Sequence, residues 1–467
     1  MDLKRRDFLL KATLGAGMFG LGGSTMASDR LDLANKINDR ITTRPAAGQS
    51  VIGLKTDPIK QVRVGFIGTG SRGSGHVRHY AAMYPEKGVV TAVCDIREEM
   101  ANRAVKIVKE AGQKPKPAVY SGTPDAWKEM VQRDDIDLIV IATPWELHAP
   151  MAIEAMKRGK HVVTEVPVGL TLEELNSVVR TAEETQKNCM MLENVNYGNE
   201  ELWILNMVRN DIFGTLTYGE GAYIHNLLTP HLFGDAYYKS WRIRHHITTD
   251  GNLYPTHGLG PIAWYMDINR GDKFDYMVSM SSLQASLTEF SKTIDPSDEF
   301  YNRDDFKHGD MNNSLIKTAK GRSILMQHDV VTHRPYSRKN VLAGTKAYHE
   351  GYPSRLSLAG KGHDWLKEEE YKAYREKFNH PIWEELKSEI EKHGGHGGMD
   401  FVMNYRVLDC LNKGLPLDMD VYDGASWSAV LPLSAISVEL GSVPVKFPDY
   451  TNAAWKEKRE IGIMTLS

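Results

Sequence analysis

The hexapeptide Gly68-Thr69-Gly70-Ser71-Arg72-Gly73 has the spacing GxGxxG, and the chemistry open to such a run is the cradling of a diphosphate. Its glycines permit a tight turn and close backbone approach, and a helix starting inside it aims its positive end at the anion. Alone the spacing is weak, but its surroundings are those the motif requires. Residues 62–67 form a short β-branched run leading into it, and a helix-compatible stretch follows to Ala82. A second buried-strand pattern over 89–94 ends at Asp95, 22 residues beyond Gly73, where a carboxylate accepts hydrogen bonds from ribose hydroxyls. That charge repels a 2′-phosphate and favours NAD over NADP, with Arg97 the nearby group able to accept such a phosphate instead. The other reactive residues exclude more than they assign. Cys94, Cys189 and Cys410 stand far apart without CxxC spacing, so neither a disulfide framework nor a zinc knuckle is expected. His245-His246 and the run from His393 to His396 cluster imidazoles without a ligand set's carboxylates and spacing, so no metal is expected. The run HGGHGG reads instead as a loop folding against the site, with His396 reaching it. A net charge of -3 without a long basic stripe argues against nucleic acid and for a polar, neutral substrate.

These residues need elements to hold them. Strand and helix patterns alternate over 137–142, 150–158, 160–165, 171–187 and 189–194, which implies a parallel, doubly wound sheet with ligands beyond the strand carboxyl ends. The loops Thr143-Pro144-Trp145-Glu146-Leu147-His148, Glu165-Val166-Pro167 and Glu193-Asn194 fall at such ends. After Asn194, strand-like segments at 216–223, 276–283, 315–318 and 323–328 are separated by loops rich in Asp, Asn, His and Tyr, as in a mostly antiparallel sheet with one open face. The fold class is therefore α/β, an N-terminal Rossmann sheet over 61–195 followed by an α+β domain over 196–467. The stretch 361–392 reads as a charged helical insertion, solvated on its surface. Residues 1–28 carry Arg5-Arg6-Asp7-Phe8-Leu9 and then a moderately apolar, Gly/Ala-rich run, the pattern of a Tat-type export signal rather than a membrane anchor. A periplasmic or secreted protein follows, with 29–60 as a leader wrapping the surface.

Ile67-Gly68-Thr69-Gly70, Asp95, Ala142-Thr143-Pro144 with His148, and Glu165-Val166-Pro167 resemble successive landmarks of the glucose-fructose oxidoreductase and inositol dehydrogenase family. Most members have Glu-Lys-Pro where this chain has Val166 at the centre, and that lysine assists hydride transfer in the sugar dehydrogenases. A narrower similarity accounts for the departure. GTGSRGSG from Gly68, WELH from Trp145, EVP from Glu165, ENVNY from Glu193 and NLYPTHGLG from Asn252 together resemble glycoside hydrolase family 109, the NAD-using α-N-acetylgalactosaminidases.

The resemblance implies a cofactor, NAD, and a carbohydrate partner bearing terminal N-acetylgalactosamine, with oligomeric state left open. It implies a route in which hydride leaves C3, the 3-keto group acidifies the C2 proton, the C1 substituent is eliminated, water adds and the hydride returns. No carboxylate pair is required, and the second domain offers no convincing one. It places Gly68, Gly70, Ser71 and Arg72 on the pyrophosphate, Asp95 on the adenosine ribose, and Trp145, Glu146, Leu147 and His148 along the cofactor. Glu165, Val166 and Asn194 line the nicotinamide side. Tyr223, Arg242, Tyr254, Pro255, Thr256, His257 and Tyr336 match substrate-contacting positions, with Tyr254 also near the cofactor. His257, near a helix start after the turn at Asp250-Gly251, is assigned the C3 hydroxyl proton, since imidazole titrates near 6.5. Tyr197 or Tyr336 is assigned the C2 proton, although a phenol titrating near 10 needs a lowered pKa, and packing or hydrogen bonding to the sugar is an equal alternative. The competing activity is a periplasmic NAD(P)-dependent sugar dehydrogenase, which would form net NADH. A sugar-binding protein with a vestigial Rossmann domain is argued against by the intact glycine run.

Overall fold

The computed structural model describes residues 25–41 and 48–465. The export-signal reading of 1–28 thus lies outside the described residues, apart from the start of one helix. Strands β1 (Val62–Ile67), β2 (Gly88–Asp95), β3 (Ala118–Ser121), β4 (Leu138–Ile141), β5 (His161–Thr164) and β6 (Cys189–Met191) form one sheet in the order β3-β2-β1-β4-β5-β6. Every pairing is parallel. Helices cover both faces, which is why β4 and β5 are buried at every position and read as unbroken apolar runs. The strand order reverses between β1 and β4, and the crevice beyond those two carboxyl ends is where a doubly wound sheet binds ligands.

The second sheet joins β7 (Leu216–Ile224), β8 (Phe274–Ser281), β9 (Asn312–Thr318), β10 (Ser323–Asp329), β11 (Val341–Gly344), β12 (Ala347–Glu350), β13 (Arg355–Leu358) and β14 (Val445–Lys446) in the order β13-β12-β11-β7-β10-β9-β8-β14. Only β7 with β10 is parallel. Burial alternates along β9 and β10, the mark of a sheet with one covered face. The helix Thr256–Tyr265 lies on β7 at unusually short range: a Cβ on Gly221 would stand 2.4 Å from the Gly258 carbonyl oxygen. Glycine on both elements lets the backbones touch, and this fixes His257 beside the end of β7.

Two elements differ from the sequence reading. Part of the leader is a helix, Thr25–Ile41, whose Ala34 and Ile37 pack on Leu440 while Asn38 accepts from the Lys446 N–H at 2.8 Å. The stretch 361–392 holds three helices, Glu368–Phe378, Pro381–Glu385 and Lys387–His393, rather than a solvated one. Its charges describe the outer face alone. Phe378 and Ile382 are buried, and the Trp383 indole donates to the Tyr197 carbonyl at 3.1 Å.

Candidate functional site

A cavity of about 1070 Å³ runs from the glycine loop across the carboxyl ends of the parallel sheet to β7 and the start of the helix Thr256–Tyr265. Gly68 has φ +85°, and a Cβ on Gly73 would lie 1.9 Å from the Gly68 carbonyl oxygen, so the turn accepts no side chain there. The helix Ser71–Ala82 starts at the loop with no side chain capping its first N–H groups. Asp95 ends β2, buried, and accepts from Thr69 N–H at 2.9 Å and from Arg97 N–H at 3.0 Å. Open helix-end donors, a cradle that a Cβ would fill and a buried acid at the second strand's end fit a dinucleotide. Arg97 lies over the loop and under the Tyr238 ring, 5.0 Å from its centroid. Tyr238 belongs to the second domain, and no motif pointed to it.

Arg72 lines this cavity, but its charge is already engaged: Nε donates to Glu165 at 2.6 Å, and the two terminal nitrogens donate to Asp400 at 2.5 and 2.9 Å. It ties the glycine loop to the loop after β5 and to the C-terminal helix Met399–Lys413 while lining the cavity beside Gly70 and Ser71. Glu165 also pairs with His76 at 2.7 Å, and Asn194 donates to Asp400 at 2.7 Å. Burial opposes ionisation of Glu165, yet the charge of Arg72 and the His76 hydrogen bond hold its carboxyl far below the usual range. Asp400 is held down in the same way, burial opposing and Arg72 and His396 prevailing. His148 is wholly buried, its ring nitrogens 2.7 Å from the Pro167 carbonyl and 2.8 Å from that of Thr143, and so latches two cavity loops together. Trp145, Leu147 and Val166 line the wall. Glu146 does not: half-exposed, it turns toward His245 at 3.5 Å, because the short 3-10 turn Trp145–Leu147 sends consecutive side chains different ways.

Toward β7, Trp145 stacks on Tyr254 at 5.7 Å and Tyr254 lies 4.6 Å from Tyr223. Arg242 is buried among these rings, 5.0 Å from Trp145 and 4.8 Å from Tyr254, with one nitrogen donating to the Tyr237 hydroxyl at 2.9 Å. Tyr223 lies against the same guanidinium, its ring centroid 5.8 Å away, and Arg242 forms part of the cavity wall. His257 stands in the first turn of its helix, facing the cavity, and its Nδ1 meets Glu193 Oε1 at 2.7 Å. Glu193 is wholly inaccessible and follows β6; the sequence placed it at a strand end and in the ENVNY motif but gave it no role, because its partner is 64 residues away. Across the same cavity His396 is 60% exposed, and its Nδ1 meets Asp400 at 2.7 Å.

Four expected site residues stand elsewhere. Tyr197 is wholly buried off the cavity, donating to Asp418 at 3.3 Å, and burial with that carboxylate pushes its phenol well above 10. Tyr336 is 42% exposed outside the cavity wall, edge-on to His225 at 5.1 Å, and burial of its hydroxyl end raises its pKa as well. Neither phenol is prepared to act as a base. Pro255 and Thr256 are buried behind His257, where they start the helix rather than line the cavity.

Residues 62–193 match the oxidoreductase family with an NAD-binding Rossmann fold, and residues 197–457 match the glycosyl hydrolase 109 C-terminal domain. The chain is 46% identical over 469 residues to a glycosyl hydrolase family 109 protein of Shewanella pealeana, covering 99% of this chain and 100% of that one. It is also 46% identical over 470 residues to an alpha-N-acetylgalactosaminidase of Shewanella oneidensis, covering 99% of both. Among solved structures, a levoglucosan dehydrogenase in complex with NADH superposes with TM-score 0.62 at 18% identity, over 83% of this chain and 100% of that one. The WlbA dehydrogenase from Bordetella pertussis with NADH and UDP-GlcNAcA gives 0.59 at 16%, over 84% and 100%. At these identities the two structures speak for the fold.

Proposed function

The chain belongs to glycosyl hydrolase family 109 and is an NAD-dependent glycosidase; from that premise we propose that it releases terminal, α-linked N-acetylgalactosamine by oxidation at C3, elimination, addition of water and re-reduction. The observation that carries the mechanism is the presence of two histidine–carboxylate pairs, His257–Glu193 and His396–Asp400, on one cavity. Oxidising an alcohol moves a single hydroxyl proton, so one base suffices for a dehydrogenase. An elimination that follows oxidation must also move the C2 proton and protonate the departing oxygen, which calls for a second group.

When bound, NAD supplies a reversible hydride acceptor at C3, and the ketone so formed acidifies the neighbouring C–H. Glu193 holds the Nδ1 proton of His257, leaving Nε2 as the acceptor for the O3 proton. His396, oriented by Asp400 and more open to solvent, serves the C2 proton and the leaving oxygen in place of the tyrosines. The Arg242 charge and the Trp145–Tyr254 stack, all on the cavity wall, hold the ring against the cofactor side. The twin-arginine segment supports export in the folded state by the Tat route, carrying the cofactor to the periplasm or beyond.

Incubation with α- and β-linked nitrophenyl N-acetylgalactosaminides, without added NAD and in heavy water, tests the reading. Release of nitrophenol from the α-anomer with deuterium at C2 of the sugar is expected. Complete retention of the original C2 hydrogen rules out the elimination, and net NADH formation on free sugar returns the dehydrogenase.

A further inference from the structure

The geometry points to a second saccharide subsite outside the cavity mouth, built on Tyr336 and Tyr352, that holds the sugar next to the one released. It rests on the glycosidase reading above and names where the rest of the glycan goes. His225 is part of the cavity wall, and a glycan that leaves the cavity past it runs onto the rings packed on its far side. From His225 the rings continue: Tyr336 is perpendicular to it at 5.1 Å, and Tyr352 follows at 6.0 Å. Both rings present a face to solvent, 42% and 40% exposed, while their hydroxyl ends turn to Arg338.

They are nevertheless held in place. Ser337 bridges to Ile224 at the end of β7, which seats Tyr336 against His225 of the cavity wall. Tyr352 occupies the turn between β12 and β13, and the Gly351 N–H donates to the Lys339 carbonyl at 3.1 Å, tying that turn to the Tyr336 strand. Arg338 lies under both rings, 5.9 and 5.6 Å from their centroids, anchored by the buried Glu201 at 3.3 Å. Tyr352 has φ +62°, a conformation that bulky side chains avoid and that persists only where the surroundings impose it. An aromatic plane fixed at the surface beside a sugar cavity suits the apolar C–H face of a pyranose.

The test compares kcat/KM of the NAD-loaded enzyme for methyl N-acetylgalactosaminide and for a disaccharide in which N-acetylgalactosamine is α-linked to galactose. Wild type prefers the disaccharide. Tyr352→Ala lowers that preference about threefold to tenfold, as loss of one ring contact should, while Tyr352→Phe keeps it. Tyr352→Gly removes the ring and relaxes the positive φ, so a loss in both Ala and Gly variants is not a folding defect. An unchanged preference in both overturns the subsite and leaves the glycosidase reading standing. If neither compound is cleaved by wild type, that reading fails, and calorimetric titration of the disaccharide decides the subsite: weaker binding to Tyr352→Gly supports it, and equal binding or none overturns it.

Discussion

A buried carboxylate 2.7 Å from Nδ1 decides which tautomer His257 adopts, and with it which nitrogen can take a proton from a substrate. His257→Ala should therefore lower turnover by at least about a hundredfold, within the usual range for general bases. Glu193→Gln should cost nearly as much, because an amide can donate to Nδ1 and turn the lone pair away from the cavity. The double variant should be no worse than the poorer single one, since the two groups act as a unit. Steady-state kinetics beside NAD content and melting temperature check this. A loss of only a few-fold, the size of one neutral hydrogen bond at about 0.5–1.5 kcal/mol, makes His257 a binding residue. At this scale the sequence was informative wherever a residue's neighbours in the chain are its neighbours in space, as for Gly68, Gly73 and Asp95. It placed Glu193 at a strand end without a role and assigned nothing to Asp400, because their partners His257 and Arg72 are distant in the chain. It misplaced Tyr197, because Asn194 is on the cavity wall and the chain after it turns under Trp264.

The element that carries His396 is a loop in which Gly394, Gly395, His396, Gly397 and Gly398 all have positive φ. The run was legible as a loop, but the helices that deliver it were not, because a charged surface pattern conceals Phe378, Ile382 and Trp383 on the inner face. Two substitutions separate strain from position. A Cβ on Gly395 would stand 2.9 Å from the His79 ring and 3.1 Å from the Asp400 Cβ, whereas one on Gly397 meets nothing within 4 Å. Both alanines carry the cost of a left-handed backbone, about 1–2 kcal/mol, but only Gly395→Ala pushes on Asp400 and so on His396. Gly395→Ala should cut turnover by about tenfold or more relative to Gly397→Ala, with NAD still bound in both. Equal activities would show that the placement of His396 does not matter to the reaction.

Across the whole molecule the parallel sheet was the most legible part, since strands buried on both faces need apolar residues throughout. The second sheet was read only in part: β11, β12 and β13 are four-residue strands, too short to show a period, and the helix Thr25–Ile41 hides in a segment taken for a leader. How the domains meet could not be read at all, and it bears on cofactor retention. Tyr238 from the second domain covers Arg97 beside the glycine loop, so NAD should survive dialysis, and Tyr238→Ala and Asp95→Ala should each release it faster; nicotinamide absorbance in denatured, dialysed samples measures this. Burial also makes the fold sensitive to mild acid. His79, His161 and His380 are buried, and burial pushes each down to about 4. In each, Nδ1 is an acceptor, facing the Asn404 amide, the Asn188 N–H and the Ile382 N–H at 3.0, 3.1 and 3.3 Å. Protonation there would set two donors against each other. In the unfolded chain these rings titrate near 6.5, so between about 6.5 and 4 the unfolded state binds more protons and stability rises with pH. The contribution is complete above about 6.5 and declines as pH falls toward 4. Glu165 and Asp400, held low by Arg72, keep their charge throughout that window, so the histidines act first. Each fully responding ring contributes about 1.4 kcal/mol per pH unit, and two would lower the melting temperature by a few degrees per unit. Thermal unfolding followed from pH 7.5 to 5 should show that decline beginning near 6.5, and the His161→Asn variant should show a shallower one. A melting temperature flat down to pH 5 would mean that these rings are hydrated and free to ionise within the folded protein.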